Sequence, residues 1–145
     1  MSGQRPPLPP PANPALLPTL ASVVYLASVV ALWGILSLVL DREVVDYPDA
    51  GPLLGPAMAA AAVVITWLTL MRGRRSRSPW PSVVAATLLS AVGMLAVAAV
   101  GYAPAAAVHF ALGPFVPGAA ALAGITALVT WAGRPRPTGE GSAHG

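Results

Sequence analysis

From Thr19 to Leu40 the chain runs without a single charged side chain. As a helix that stretch is about 33 Å long, enough to cross a hydrocarbon core of roughly 30 Å. Three more charge-free runs follow, Leu53 to Met71, Ser82 to Tyr102 and Phe115 to Trp131. The first run exceeds the apolar region of a typical secretory leader, and no small-residue cleavage site leads from it into a polar mature region. It is therefore read as an uncleaved span. The expected fold class is all-α, an integral membrane four-helix bundle with spans near 19–40, 53–71, 82–102 and 115–131.

Composition supports this reading and excludes others. Hydrophobic residues make up 56% of the chain and charged residues 9%, against about a quarter charged in an ordinary soluble domain. Disorder of the bulk and a typical soluble enzyme are both excluded. With no Cys there is no disulfide framework, thiolate metal site or cysteine nucleophile. All eight basic residues are Arg, and the pI near 10.2 would suit a nucleic-acid partner if charge were spread over a face. It is not: Arg72, Arg74, Arg75 and Arg77 share one connector, Arg134 and Arg136 the C-terminal tail, and Arg5 the start. No aromatic residues alternate with them on a face, so the basicity encodes topology and no nucleic-acid partner is expected.

Prolines divide the chain. Pro6, Pro7, Pro9, Pro10, Pro11 and Pro14 favour extended polyproline II, a disordered cytoplasmic tail over 1–14, with a PxxP docking peptide as the sharper alternative. Pro18 is expected just before the first span, where a missing N–H costs nothing. Pro56 leaves two starts open for the second. A helix from Gly51 and Pro52 would be kinked there, and one from Gly55 and Pro56 would be short, about 24 Å. Ala103 to Leu112, bracketed by Pro104 and by Gly113 and Pro114, is expected as a short interfacial helix or turn. The domain layout is then the 1–14 tail, a transmembrane domain over 15–132 and a disordered Gly/Pro-rich cytoplasmic tail over 133–145.

Orientation follows from charge. With both termini and the Arg72–Pro81 connector on one side, that side carries seven Arg and the other only Arg42. The positive-inside rule then makes both termini cytoplasmic, in a multi-pass plasma-membrane protein. Trp67, Trp80 and Trp131 fall at the cytoplasmic ends, and Tyr47, Tyr102, Phe110 and Phe115 near the outer ends, as two aromatic belts. Sliding the chain along itself until Ser22, Val23 and Val24 fall on Ser82, Val83 and Val84 also pairs Ile65, Thr66, Leu68, Gly73 and Arg74 with Ile125, Thr126, Leu128, Gly133 and Arg134. Such matching is either chance in an Ala/Val/Leu-rich chain or a parallel hairpin repeat.

The predicted spans contain no Asp, Glu, Lys, Arg or His, the groups that mark intramembrane proton relays, ion paths and catalysis. No HExxH, P-loop or nucleotide fingerprint is present, so no catalytic, cofactor-binding or metal residue is assigned and the protein is read as no enzyme. Asp41, Glu43, Asp46 and Asp49 in the outer connector could offer oxygens to a hard cation; their spacing fits no calcium loop, and a solvated turn, with Asp49 capping the second helix, is the plainer reading. His109 stands alone in an apolar connector and His144 lies in the tail, so neither builds a metal site. Small residues at helical spacing, Gly55 and Ala59, Ala57 and Ala61, Ala86, Ser90 and Gly93, Ala119, Ala123 and Ala127, Ala120 and Gly124, suit close packing within the bundle, a homo-oligomer or a partner membrane protein. The Arg cluster also suits contact with anionic headgroups of the lipid bilayer.

The run ALWGILSLVLDREVVDYPDAGPLLGP, Ala31 to Pro56, resembles the first-hairpin region of a family of small uncharacterised membrane proteins of high-GC Gram-positive bacteria, most clearly over DYPDAGPLLGP. The resemblance implies a polytopic inner-membrane protein and carries no activity, cofactor or site residue. The leading expectation is an accessory or interaction subunit acting through helix packing. The alternative is a small oligomeric carrier or channel for a small or uncharged solute, whose polar path would come from Thr66, Thr69, Thr126 and Thr130.

Overall fold

The computed structural model describes Asn13, residues 15–41, 43–44, Gly51, 53–73, Ser76 and 78–134. Over these residues it contains five helices and no strand: α1 (Leu16–Leu40), α2 (Leu54–Gly73), α3 (Trp80–Gly101), α4 (Pro104–Leu112) and α5 (Phe115–Ala132). Four of them, all but α4, are long and apolar enough to cross a membrane. The predicted tails 1–14 and 133–145 lie outside the described residues, apart from Asn13, Gly133 and Arg134.

Each helix carries a proline in its first turn, and this corrects the predicted starts. Pro18, Pro56 and Pro117 are each the third residue of their helix, Pro81 the second of α3 and Pro104 the first of α4. The first N–H groups of a helix have no intrahelical acceptor, so a residue without one removes an orphan donor instead of breaking the ladder. The ladder begins on the next residue: Thr19, Ala57 and Gly118 donate to the carbonyls of Ala15, Leu53 and Pro114 at 3.0 Å each. Pro18 thus lies inside α1 and not before it. Pro56 neither interrupts α2 nor cuts it short, because α2 starts between the two predicted points and runs 20 residues. Its last turn includes Arg72, a correction to the reading that placed every charge in a tail or connector.

At its far end α1 stops on Asp41, which takes a left-handed conformation (φ 49°) and donates its N–H to the Ser37 carbonyl. Asp is one of the few non-glycine residues that tolerate this geometry. The short segment after α3 is a helix of nine residues, packed on α3 and α5 through Ala106 and Phe110.

The four long helices form a ring in the order α1, α2, α3, α5, with the backbones of α2 and α5 also close across it and those of α1 and α3 further apart. Helices paired by the sliding alignment stand opposite one another in this ring. Small residues make the close approaches. On α5, Ala119, Ala120, Ala123, Gly124 and Ala127 are buried, and a Cβ on Gly124 would come within 2.4 Å of the Thr87 hydroxyl of α3. On Gly93 of α3 it would meet the Ile65 terminal methyl of α2. Such backbone proximity is how helices gain dispersion energy in lipid, where the hydrophobic effect does not drive them together. The attachment of α1 is narrower. Only Pro18, Ser22, Tyr25, Val29 and Trp33 are buried, a single stripe at helical spacing.

Candidate functional site

At the centre of the ring, each long helix contributes one polar group. Tyr25 of α1, Thr66 of α2 and Ser90 of α3 are all fully buried. The Thr66 and Ser90 hydroxyls share a hydrogen bond of 3.1 Å, both lie against the Tyr25 phenol, and Tyr25 donates to the Ala119 carbonyl of α5 at 3.2 Å. The node holds hydroxyls and a carbonyl, with no carboxylate or amine to take a proton. Its chemistry is that of registry, since sliding one helix by a residue would leave polar groups unpaired in an apolar interior. Nearer the acidic connector, Trp33 of α1 donates from its indole N–H to the Phe115 carbonyl at 3.0 Å. Sequence reasoning missed both Tyr25 and Trp33. The available signal was a phenol and an indole within a span, each obliged to find an acceptor.

The remaining threonines do not form a shared polar path. Thr69, Thr126 and Thr130 donate to the carbonyls four residues earlier in their own helices, Ile65, Leu122 and Thr126, at 2.8, 2.8 and 2.6 Å. Of the four threonines expected to line a path, only Thr66 turns its hydroxyl to another helix. Ser22 of α1 is buried with no hydrogen-bond partner for its hydroxyl among the described residues.

At the arginine end of the bundle, where α1 starts and α2 and α5 finish, Arg134 donates to the Gly73 carbonyl at 3.1 Å. Trp67 of α2 donates to the Thr19 hydroxyl of α1 at 3.4 Å. Arg5, Arg74, Arg75, Arg77 and Arg136 lie outside the described residues.

The acidic end is more open. Asp41 serves as the C-cap of α1, Glu43 is exposed, and Asp46, Asp49 and Tyr47 lie outside the described residues, as does His144. Among the described residues no three metal-ligating side chains gather. His109 of α4 stands edge-on to Phe110, with ring centroids 5.6 Å apart, and shares the wall of a cavity of about 160 Å³ with Glu43. Gly51 donates its N–H to the Tyr102 hydroxyl, tying the start of α2 to the end of α3.

A groove of about 840 Å³ lies between α1 and α2 at this end. Leu26, Val30 and Gly34 wall it on one side and Gly55, Ala60 and Val64 on the other, and Glu43 also lines it. A Cβ on Gly34 would meet nothing within 4 Å, so the groove has room at that point.

No curated protein and no solved structure matches the chain. A family model does, over residues 12–136, which takes in all five helices. The chain is a member of DUF6121, a family of unknown function.

Proposed function

We propose that the protein is a non-enzymatic accessory or interaction subunit of the plasma membrane, with both termini cytoplasmic, that works by packing its helices against a partner membrane protein or a second copy of itself. The observation that carries this reading is the one-sided attachment of α1. A single stripe holds it to the bundle, and the opposite face, with Leu20, Val24, Ala27, Ala31, Ile35 and Leu38, is exposed. That face sets Ala27 and Ala31, one turn apart, between branched aliphatic side chains, a surface that another helix can approach closely. The satisfied polar node supports a scaffold role, since none of its groups is set to abstract or deliver a proton.

The chain has no Cys, so one introduced thiol is unique. Single cysteines along α1 in native membranes are expected to crosslink with helical periodicity, strongly from Ala27 and Ala31 and weakly from Val29. Uniformly absent crosslinks, together with a lone monomer after purification in mild detergent, would refute the proposal.

A further inference from the structure

We propose that α4 is sunk in the membrane: it joins α5 in one interrupted span, and its exposed side is a surface for lipid acyl chains. The levels of the helices carry the inference. Trp33 bonds the carbonyl of Phe115, the first residue of α5, and α1 continues from Trp33 to Leu40, about 10 Å further at the helical rise. A second route starts from the polar node, where Ser90 of α3 and the Ala119 carbonyl of α5 both meet the Tyr25 phenol. From that level α3 runs on to Gly101, roughly 16 Å, whereas α5 reaches back only to Phe115, roughly 6 Å. By both routes α5 begins about 10 Å short of its neighbours' ends. Gly51 bonds Tyr102, so α2 begins near the level at which α3 ends.

Between Gly101 and Phe115 the chain therefore comes back by about 10 Å, and α4 fills that interval. It has nine residues, about 13 Å of helix, and it buries Ala106 and Phe110, one turn apart, against α3 and α5. A helix held by such a stripe runs beside α3 instead of across its end. The chemistry agrees. From Ser78 to Gly133 the sequence has no Asp, Glu, Lys or Arg, so the path from α3 to α5 lacks the charges that a turn in water carries. Val108 and Leu112 are exposed on α4, as Val92 and Val100 are on the spanning helix α3; acyl chains cover such side chains and water does not. The break itself strands few donors. Gly113 donates to the Phe110 carbonyl at 3.2 Å, and Pro114 and Pro117 have no N–H. His109, the one titratable side chain of α4, lines a cavity of about 160 Å³ beside Phe110 and Phe115. The inference stands apart from the proposed interaction role, which rests on α1.

The test is depth. The chain has no Cys, so single cysteines at Ala105, Val108 and Leu112 of α4 and at Val100 of α3, all exposed, can each carry a nitroxide in the full chain in phosphatidylcholine liposomes. Relaxation of the label by oxygen, which concentrates in hydrocarbon, and by a nickel chelate confined to water reports how deep each site lies. Labels at Val108 and Leu112 are expected to respond to oxygen and to be screened from the chelate. Depth should grow by about 10 Å from Ala105 to Leu112, and Leu112 should lie deeper than Val100. A membrane-impermeant maleimide gives a second readout without the nitroxide, and should reach a cysteine at Leu112 only after detergent is added. Equal depth at Ala105 and Leu112, or access of the chelate to Leu112, would place α4 at the surface and overturn the proposal. So would a label at Leu112 shielded from oxygen and chelate alike, which would mean that protein and not lipid covers that side.

Discussion

Gly124→Ala tests how closely α5 and α3 approach. The added methyl would lie 2.4 Å from the Thr87 hydroxyl and 3.5 Å from a Val83 methyl, with the Val83 carbonyl at 3.7 Å. Two effects compete. Replacing glycine inside a helix gains about 0.5–1 kcal/mol, while overpacking a tight contact costs about 1–3 kcal/mol. Thr87 and Val83 are both β-branched and have few helical rotamers in which to retreat, so overpacking wins and the variant should lose about 1 kcal/mol. Gly93→Ala is the control. Its methyl would meet only the terminal methyl of Ile65 closely, a flexible chain end that can swing aside, and its net effect should stay within about 0.5 kcal/mol. Adding Thr87→Ala to Gly124→Ala removes the opposing hydroxyl and should recover the loss, with a coupling energy of about 1–2 kcal/mol. Reversible unfolding in mixed micelles of a mild and a denaturing detergent, followed by helicity, measures all these proteins. If Gly124→Ala is as stable as the parent and indifferent to residue 87, the close approach argued from the structure is wrong.

Tyr25→Phe removes the donor to Ala119 and should cost about 0.6–1.7 kcal/mol in the same unfolding assay, the range for hydrogen bonds between membrane helices; no measurable loss would show that the node does not fix the register. Trp33→Phe removes the bond to Phe115 and should speed hydrogen exchange at the start of α5 more than at its end. Pro56→Ala and Pro117→Ala should each change stability by less than about 1 kcal/mol, because each proline occupies a first-turn position with no ladder bond to lose; a larger loss would point to a role beyond starting the helix. Reporter fusions at Asp46 and Arg75 should read outside and cytoplasmic respectively, and the reverse result would invert the proposed orientation.

The spans were legible in the sequence because their cause is local: a bilayer admits only long apolar runs, and charge-free stretches mark them residue by residue. The helix starts were harder. Pro56 reads as a break only if the helix is assumed to begin well before it, and the ladder starting at Ala57 shows that it begins just ahead, at Leu54. The groove and the polar node were illegible for a different reason. Tyr25, Thr66, Ser90 and Ala119 come from four separate helices, and only the ring order of those helices decides that they meet. Glu43 was legible as one of four acids in a turn; that it lines an apolar cleft depends on how α1 and α2 pack. His109 and Arg72 carried the least information, since nothing near them in sequence says what faces them.

The hydrogen bonds of α1 have a consequence for biogenesis. Tyr25 and Trp33 sit in α1, which emerges before the other four helices during synthesis, and their acceptors, Ala119 and Phe115, lie one turn apart on α5. Until α5 enters the bilayer, α1 carries a phenol and an indole without those acceptors and lacks one of its two ring neighbours. The closing of the ring is therefore the step that commits the chain to its final form. A product truncated before α5 would display an incompletely satisfied first span to the membrane's quality-control machinery, however intact its own three long helices were.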